Sequence, residues 1–172
     1  SRCWITQNLG ATNQATSATD NTEASAGWYW QFNRSRGYKH TGATSTTILT
    51  PAWTITLIGE SSNWIAARDP CAIELGVGWR IPTTTEWFNA DANGAWVGYN
   101  NTYSSVLVLH AAGYLDNNGT LDGRVSGGHY GYYWSSNQID TYNSRRLAIN
   151  TDYDTYVDNG GKSYGHSLRC IK

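Results

Sequence analysis

The sequence predicts one domain that mixes helix with short strands, α+β in class. Three observations carry the prediction. The chain has 172 residues, a length that suits one domain with its own core. Thr83-x-x-Glu86, directly after Pro82, is a capping box and opens a helix. The last quarter, Gly128 to Lys172, holds short segments that are aromatic or alternating, as strands are.

Taken in order, Cys3 to Leu9 reads as a first strand ended by Gly10. Ala11 to Ala26 is Thr, Ser, Asn and Ala without a period, which predicts a surface loop. In Gly27 to Asn33, Trp28, Trp30 and Phe32 alternate, and all three are core candidates. Ser35 to Gly59 and Ser61 to Cys71 carry no chemical signal. The helix spans Thr83 to Ala92, with Trp87 in its first turns and Gly94 as the stop. Val106 to Leu115 is apolar and predicts a buried strand, with His110 a satisfied core or edge histidine rather than a ligand. Asp116-Asn117-Asn118-Gly119 predicts a tight turn. Tyr130 to Ser136, Arg145 to Asn150 and Ser167 to Ile171 complete the strands, and the polar Tyr/Asn/Asp runs fall between them as loops.

Composition narrows the function. Charged residues make up 15% and the formal net charge is -1, so nothing predicts an electrostatic grip on nucleic acid. No apolar run approaches the roughly 20 residues of a membrane span. The opening Ser1-Arg2-Cys3, without Met or a signal peptide, reads as a trimmed or processed form. The 9 Trp are a large supply of packing groups whose N–H needs a partner when buried. The 3 Cys allow one bridge and one free thiol, or no bridge. Cys170, on the last strand, favours pairing with Cys71 over Cys3.

Candidate chemistry is thin. Asp116, Asn118 and Asp122, and again Asp152, Asp154 and Asp158, cluster as calcium ligands do. Neither stretch fits the calcium-loop pattern or has its downstream Glu. The residues therefore predict no metal and no cofactor. Glu86 is accounted for by the capping box. No G-x-S-x-G elbow or H-E-x-x-H helix is present, and Ser135 or Ser136 would need a His beside it to act as nucleophile. A binding role fits the last quarter better. Most of the 12 Tyr lie there among Asn, Asp, Ser and Gly, the mixture that antibody loops use for recognition.

Read together, the motifs resemble a known family. They are Trp4-x-x-x-Asn8-Leu9-Gly10-Ala11, then Gly78-Trp79-Arg80-Ile81-Pro82-Thr83-x-x-Glu86-Trp87. Ala111-Ala112-Gly113-Tyr114, Tyr130-Gly131-Tyr132-Tyr133-Trp134-Ser135-Ser136 and Lys162 to Lys172 follow. The series resembles the Fibrobacter-type major paralogous domain, a branch of the C-type lectin fold, and the variable proteins of diversity-generating retroelements. The resemblance implies two helices on small antiparallel sheets, with the N- and C-terminal strands side by side. It also implies packing roles for Trp79, Trp87, Trp134, Leu147 and Leu168. The Glu-Pro-Asn and Gln-Pro-Asp sugar signatures are absent, so a calcium-bridged sugar site is not implied.

The expectation is a non-enzymatic domain, displayed on a cell or virion surface, that presents a diversifiable face to a protein or cell-surface ligand. The contact residues carried over by the resemblance are Asn137, Asp140, Tyr142, Asn143, Arg145, Asn150, Asp152, Tyr153, Asp154, Tyr156, Asp158 and Asn159. The alternatives are a calcium-independent carbohydrate-binding module or adhesin, and an enzyme that uses Cys71 or Cys170.

Overall fold

The capping pattern after Pro82 is satisfied in full. Thr83 Oγ1 accepts from the Glu86 amide, and the Glu86 carboxylate accepts from the Thr83 amide. The helix so started, Thr84–Gly94, runs two residues further than its sequence pattern indicates and ends on Ala95, which is left-handed with φ 48°. The computed structural model describes residues 2–42, 49–50, 52–53, 56–125, 128–151 and 154–172, with Thr151 and Asp154 by backbone alone.

The element order is α1 (Glu23–Ala26), β1 (Tyr29–Trp30), β2 (Gly37–His40), β3 (Leu49–Thr50), a 3-10 turn (Ala66–Arg68), α2 (Pro70–Leu75), α3 (Thr84–Gly94), α4 (Tyr99–Ser104), β4 (Tyr114–Leu115), β5 (Leu121–Asp122), β6 (Gly131–Gln138), β7 (Asn143–Thr151) and β8 (Asp154–Gly161). The strands form three small antiparallel sheets: β1-β2-β3, β4-β5 and β6-β7-β8. The α+β class is therefore correct. No helix among the described residues is long and apolar enough to cross a membrane.

Several expectations need correction. The described residues hold four α-helices rather than two. One of them, α1, falls in the predicted loop 11–26, where Thr22 caps it by accepting from the Ser25 amide. Cys3 to Leu9 and Ser167 to Ile171 form isolated bridges instead of full strands; Ser167 bridges to Tyr133 and Ile171 to both Trp4 and Arg80, so the closing segment changes partners along its length. Most of Val106 to Leu115 is irregular. Val108 has φ 49° and Gly113 has φ 75°, so the apolar run turns where a strand would stay straight; Gly113 makes one bridge to Gly131, and Tyr114–Leu115 pairs as a strand. The largest correction is β8, a polar stretch read as loop that pairs with β7 from Asp154 to Gly161.

Other expectations hold. The terminal segments lie side by side and antiparallel: Cys3 donates to the Lys172 carbonyl at 2.9 Å, and Ile5 to that of Cys170 at 3.0 Å. Cys71 and Cys170 form a disulfide, and Cys3 is free and exposed. At Asp116–Gly119 a turn forms, in which Asp116 Oδ1 accepts from the amides of Asn118 and Thr120.

Packing follows the large rings. Trp87, Trp96, Leu107, Leu109, Tyr133, Leu147 and Ile149 form one buried cluster under α3. Leu9, Trp30, Phe32, Trp64, Ile81, Trp134 and Leu168 form a second around the disulfide. Burial of each large ring is worth about 2–3 kcal/mol. Trp87 Nε1 donates to the Trp134 carbonyl at 3.1 Å and Trp134 Nε1 to that of Trp30 at 2.6 Å, so both indoles are buried without an orphaned donor. Of the framework residues that the resemblance implies, Trp87, Trp134, Leu147 and Leu168 are wholly buried and Trp79 is partly so.

Candidate functional site

β7 is the middle strand of the last sheet, and its side chains alternate between the two faces. Leu147 and Ile149 point into the cluster under α3, in register with Val157 and Thr155 on β8. Arg146, Ala148 and Asn150 take the opposite face. Arg146 stands in register with Asp158 of β8 and Trp134 of β6, and Ala148 with Tyr156 and Tyr132. β7 thus turns Leu147 and Ile149 one way and Arg146 and Asn150 the other, and the second side also carries Trp134 and Ala148, both wholly buried.

Arg146 is the centre of that second face. Its guanidinium carbon lies 3.7 Å from the Tyr132 ring centroid. Its Nε donates to Asp158 Oδ1 at 2.8 Å, and one Nη lies 3.1 Å from His166 Nε2. Tyr130 stacks on Tyr132 with centroids 6.2 Å apart, and Tyr114 sits 5.0 Å from Tyr132 on another side. Tyr164 closes the group at 6.2 Å from Tyr114. Asn150 Nδ2 donates to the Tyr156 hydroxyl. All five tyrosine rings are half-buried, so each is held from below and still meets solvent.

Among these rings lies a cleft of about 390 Å³, bounded by Tyr114, Tyr132, Arg146, Asn159 and Tyr164. Gly160 and Gly161 also line it. A Cβ on Gly160 would fall 2.9 Å from both Arg146 Cδ and His166 Nε2, so the glycine is what lets backbone pass beneath the guanidinium.

Three titrating groups of this face are held neutral. Burial pushes the Tyr132 hydroxyl up to about 12, with Asp158 and neighbouring tyrosines adding to it. The Tyr114 hydroxyl is also raised, by burial and then by its hydrogen bond to Asp122. Both therefore stay neutral donors at physiological pH. His166 is held well below the usual imidazole range by burial and by Arg146, so it stays neutral as well.

The structure divides the predicted contact residues. Asn150, Tyr156 and Asp158 belong to the open face, and Asn143 and Asn159 line its cleft. Arg145 donates to Asn159 Oδ1 at 2.9 Å, on the side of the sheet that carries α3. Asn137 Oδ1 accepts from the Thr84 amide at 2.8 Å and so helps start α3. Asp140 builds the β6–β7 turn. Its Oδ1 accepts from the amides of Tyr142 and Asn143, both at 2.8 Å, and its carboxyl is held below the usual range first by the Asn143 side chain. Tyr142 is 53% exposed, with its ring edge against Gly59. Asp152 and Tyr153 lie outside the described residues, and Asp154 opens β8.

Tyr114, Tyr130, Tyr132, Arg146, Tyr164 and His166 were not among the predicted contacts. Their signal was the two-residue spacing of Tyr130 and Tyr132, and of Tyr164 and His166, which puts each pair on one face.

Other candidate chemistry is occupied elsewhere. Glu86 takes both Nη groups of Arg80, at 2.6 and 2.7 Å, and Arg80 holds its carboxyl down to about 2. Ser135 is buried with its hydroxyl 3.1 Å from Thr84 Oγ1. The Cys71–Cys170 bridge leaves neither sulfur as a thiol. Among the described residues no group of three or more His, Cys, Asp or Glu is placed to hold a metal ion. No protein-family model, curated protein or solved structure matches the chain.

Proposed function

We propose that the chain is a non-enzymatic binding domain of the C-type lectin fold, of the kind diversified by retroelements. It would present the open face of β6–β7–β8 to a protein or cell-surface ligand outside the cell. The observation that carries this reading is the division of labour across one sheet. Leu147, Ile149 and Tyr133 face the wholly buried cluster, while Tyr132, Arg146, Tyr156 and Asp158 on the same strands face the open side. Rigid half-buried tyrosines lose little rotamer entropy on binding and are frequent hot spots. Replacing outward side chains leaves the inward ones in place, and such surface changes shift stability by only about 0.5 kcal/mol.

The test is a display library randomised at Tyr132, Asn150, Tyr156 and Asp158, the side chains of the open face, panned against unrelated folded proteins. Most members are expected to melt within a few degrees of the parent, and binders are expected from the panning. A library that is largely unfolded, or folded and without binders, overturns the reading. In the encoding DNA, the diversification part predicts an imperfect copy of the 3′ end that differs at adenines.

A further inference from the structure

A second aromatic cleft shares no lining residue with the β6–β8 face. It measures about 440 Å³ and is bounded by Trp28, Trp30, Arg36, Gly37, Glu74 and Leu75 among others. A smaller hollow of about 280 Å³ adjoins it, lined in part by Thr12, Glu23 and Lys39. The two share Gly10 and Trp28, so the Trp28 indole stands as a ridge between them.

The indoles are seated on bare backbone. Gly10 has φ 78°, and a Cβ there would fall 2.1 Å from Trp28 Cδ1. A Cβ on Gly37 would fall 2.6 Å from Trp30 Cε2 and 3.0 Å from Trp28 Cε3. Trp28 is thereby fixed while part of its surface stays open to solvent. Trp30 is 3% exposed, and its Nε1 is buried with no hydrogen-bond partner among the described residues.

The polar groups along the groove come in both signs. Arg36 and Glu74 flank the larger hollow, are exposed, and make no ion pair or hydrogen bond among the described residues. Glu23 and Lys39 flank the smaller one and pair with each other. A phosphate chain would call for a cationic excess, which the groove lacks. An acyl chain would call for an enclosed apolar slot with few polar groups. A pyranose ring suits both the open indole face and the mixed charges. Its C–H face is flat and apolar and lies against an indole, and its hydroxyls donate to carboxylates and accept from guanidinium or ammonium. Two hollows on either side of one ring call for more than one sugar unit.

We propose that the groove straddling Trp28 binds a neutral oligosaccharide chain, with one sugar ring stacked on Trp28 and hydroxyls bonded to Arg36 and Glu74. The proposal stands independently of the function assigned to the β6–β8 face.

The experiment titrates the full chain with cellohexaose, xylohexaose, mannohexaose, maltohexaose and chitohexaose, read by calorimetry and tryptophan fluorescence. At least one is expected to bind and to shift the emission. Trp28→Ala is expected to raise Kd about tenfold or more, and Trp28→Tyr to restore part of the affinity. Arg36→Ala with Glu74→Gln is expected to weaken binding without moving Tm, because both side chains are exposed. If Trp28→Ala does not fold, this double variant decides. The proposal is overturned if none of the hexasaccharides binds. It is equally overturned if binding is indifferent to the folded variants.

Discussion

Three buried imidazoles, His40, His110 and His166, are held below their usual range, with burial the first cause in each, and set how the molecule responds to mild acid. His110 is pushed down to about 3, first by burial and then by the Arg169 and Arg124 charges, and Asp20 only partly opposes this. His166 is held well below its usual range by burial and Arg146. Between pH 6.5 and the folded value, the unfolded chain takes up protons that the folded chain refuses. Stability therefore rises with pH across that window and is flat above it. At pH 5, His110 is expected to cost about 2 kcal/mol relative to pH 7.5. Urea unfolding at the two pH values measures it, and His110→Gln should remove that share, leaving the part due to His40 and His166. Equal stability at both values would mean that the rings take up protons inside the fold.

At the scale of the element, α3 rests on a carboxylate that does two jobs. Glu86 completes the capping box and takes both Nη groups of Arg80. Glu86→Ala is expected to cost about 1–2 kcal/mol in urea unfolding, the cap supplying most of it because Arg80 is partly solvated. That stability is present above about pH 4.5 and is lost as the pH falls toward 2, since the folded carboxyl titrates at about 2. A variant as stable as the parent would show that packing of Trp87 alone holds the helix. This helix was legible in the sequence because its signal is local, with Thr83 and Glu86 one turn apart. β8 was not. Its inward set has Val157 as the one aliphatic residue, and its strand character comes from pairing with β7 along its length. Val106–Leu115 failed in the other direction, its apolar content mimicking a strand while Val108 and Gly113 turn the chain. The same split runs through the site. The Tyr/Asn/Asp bias marked the stretch, yet Arg146 and Tyr132 lie on different strands that only the cross-strand register brings together.

At the scale of the whole molecule, the last residues join segments that are far apart in sequence. Ser167 bridges to Tyr133, and Ile171 bridges to both Trp4 and Arg80. The Cys71–Cys170 disulfide spans 99 positions. Arg169 is wholly buried among these contacts, and burial lowers its guanidinium to about 10, so it stays charged at neutral pH. No carboxylate is among its hydrogen-bond partners. Its N–H groups make four hydrogen bonds, to Asn8 Oδ1 at 2.9 Å and to the carbonyls of Ile5, Leu107 and Val108 at 3.2, 2.8 and 2.8 Å. One planar fork therefore ties the opening segment, the irregular run after α4 and the closing segment into one body. An ammonium keeps the charge but has a single nitrogen with which to meet acceptors arrayed around a fork. Arg169→Lys is accordingly expected to cost about 2–4 kcal/mol, because buried carbonyls are left unpaired around a charge they no longer solvate. Urea unfolding of the oxidised protein measures the loss with the disulfide intact. Amide exchange should locate the opening at 5–9 and 107–109 before the β6–β8 sheet. A lysine variant of parental stability, with those amides still protected, would mean that backbone pairing and the disulfide close the molecule without the fork.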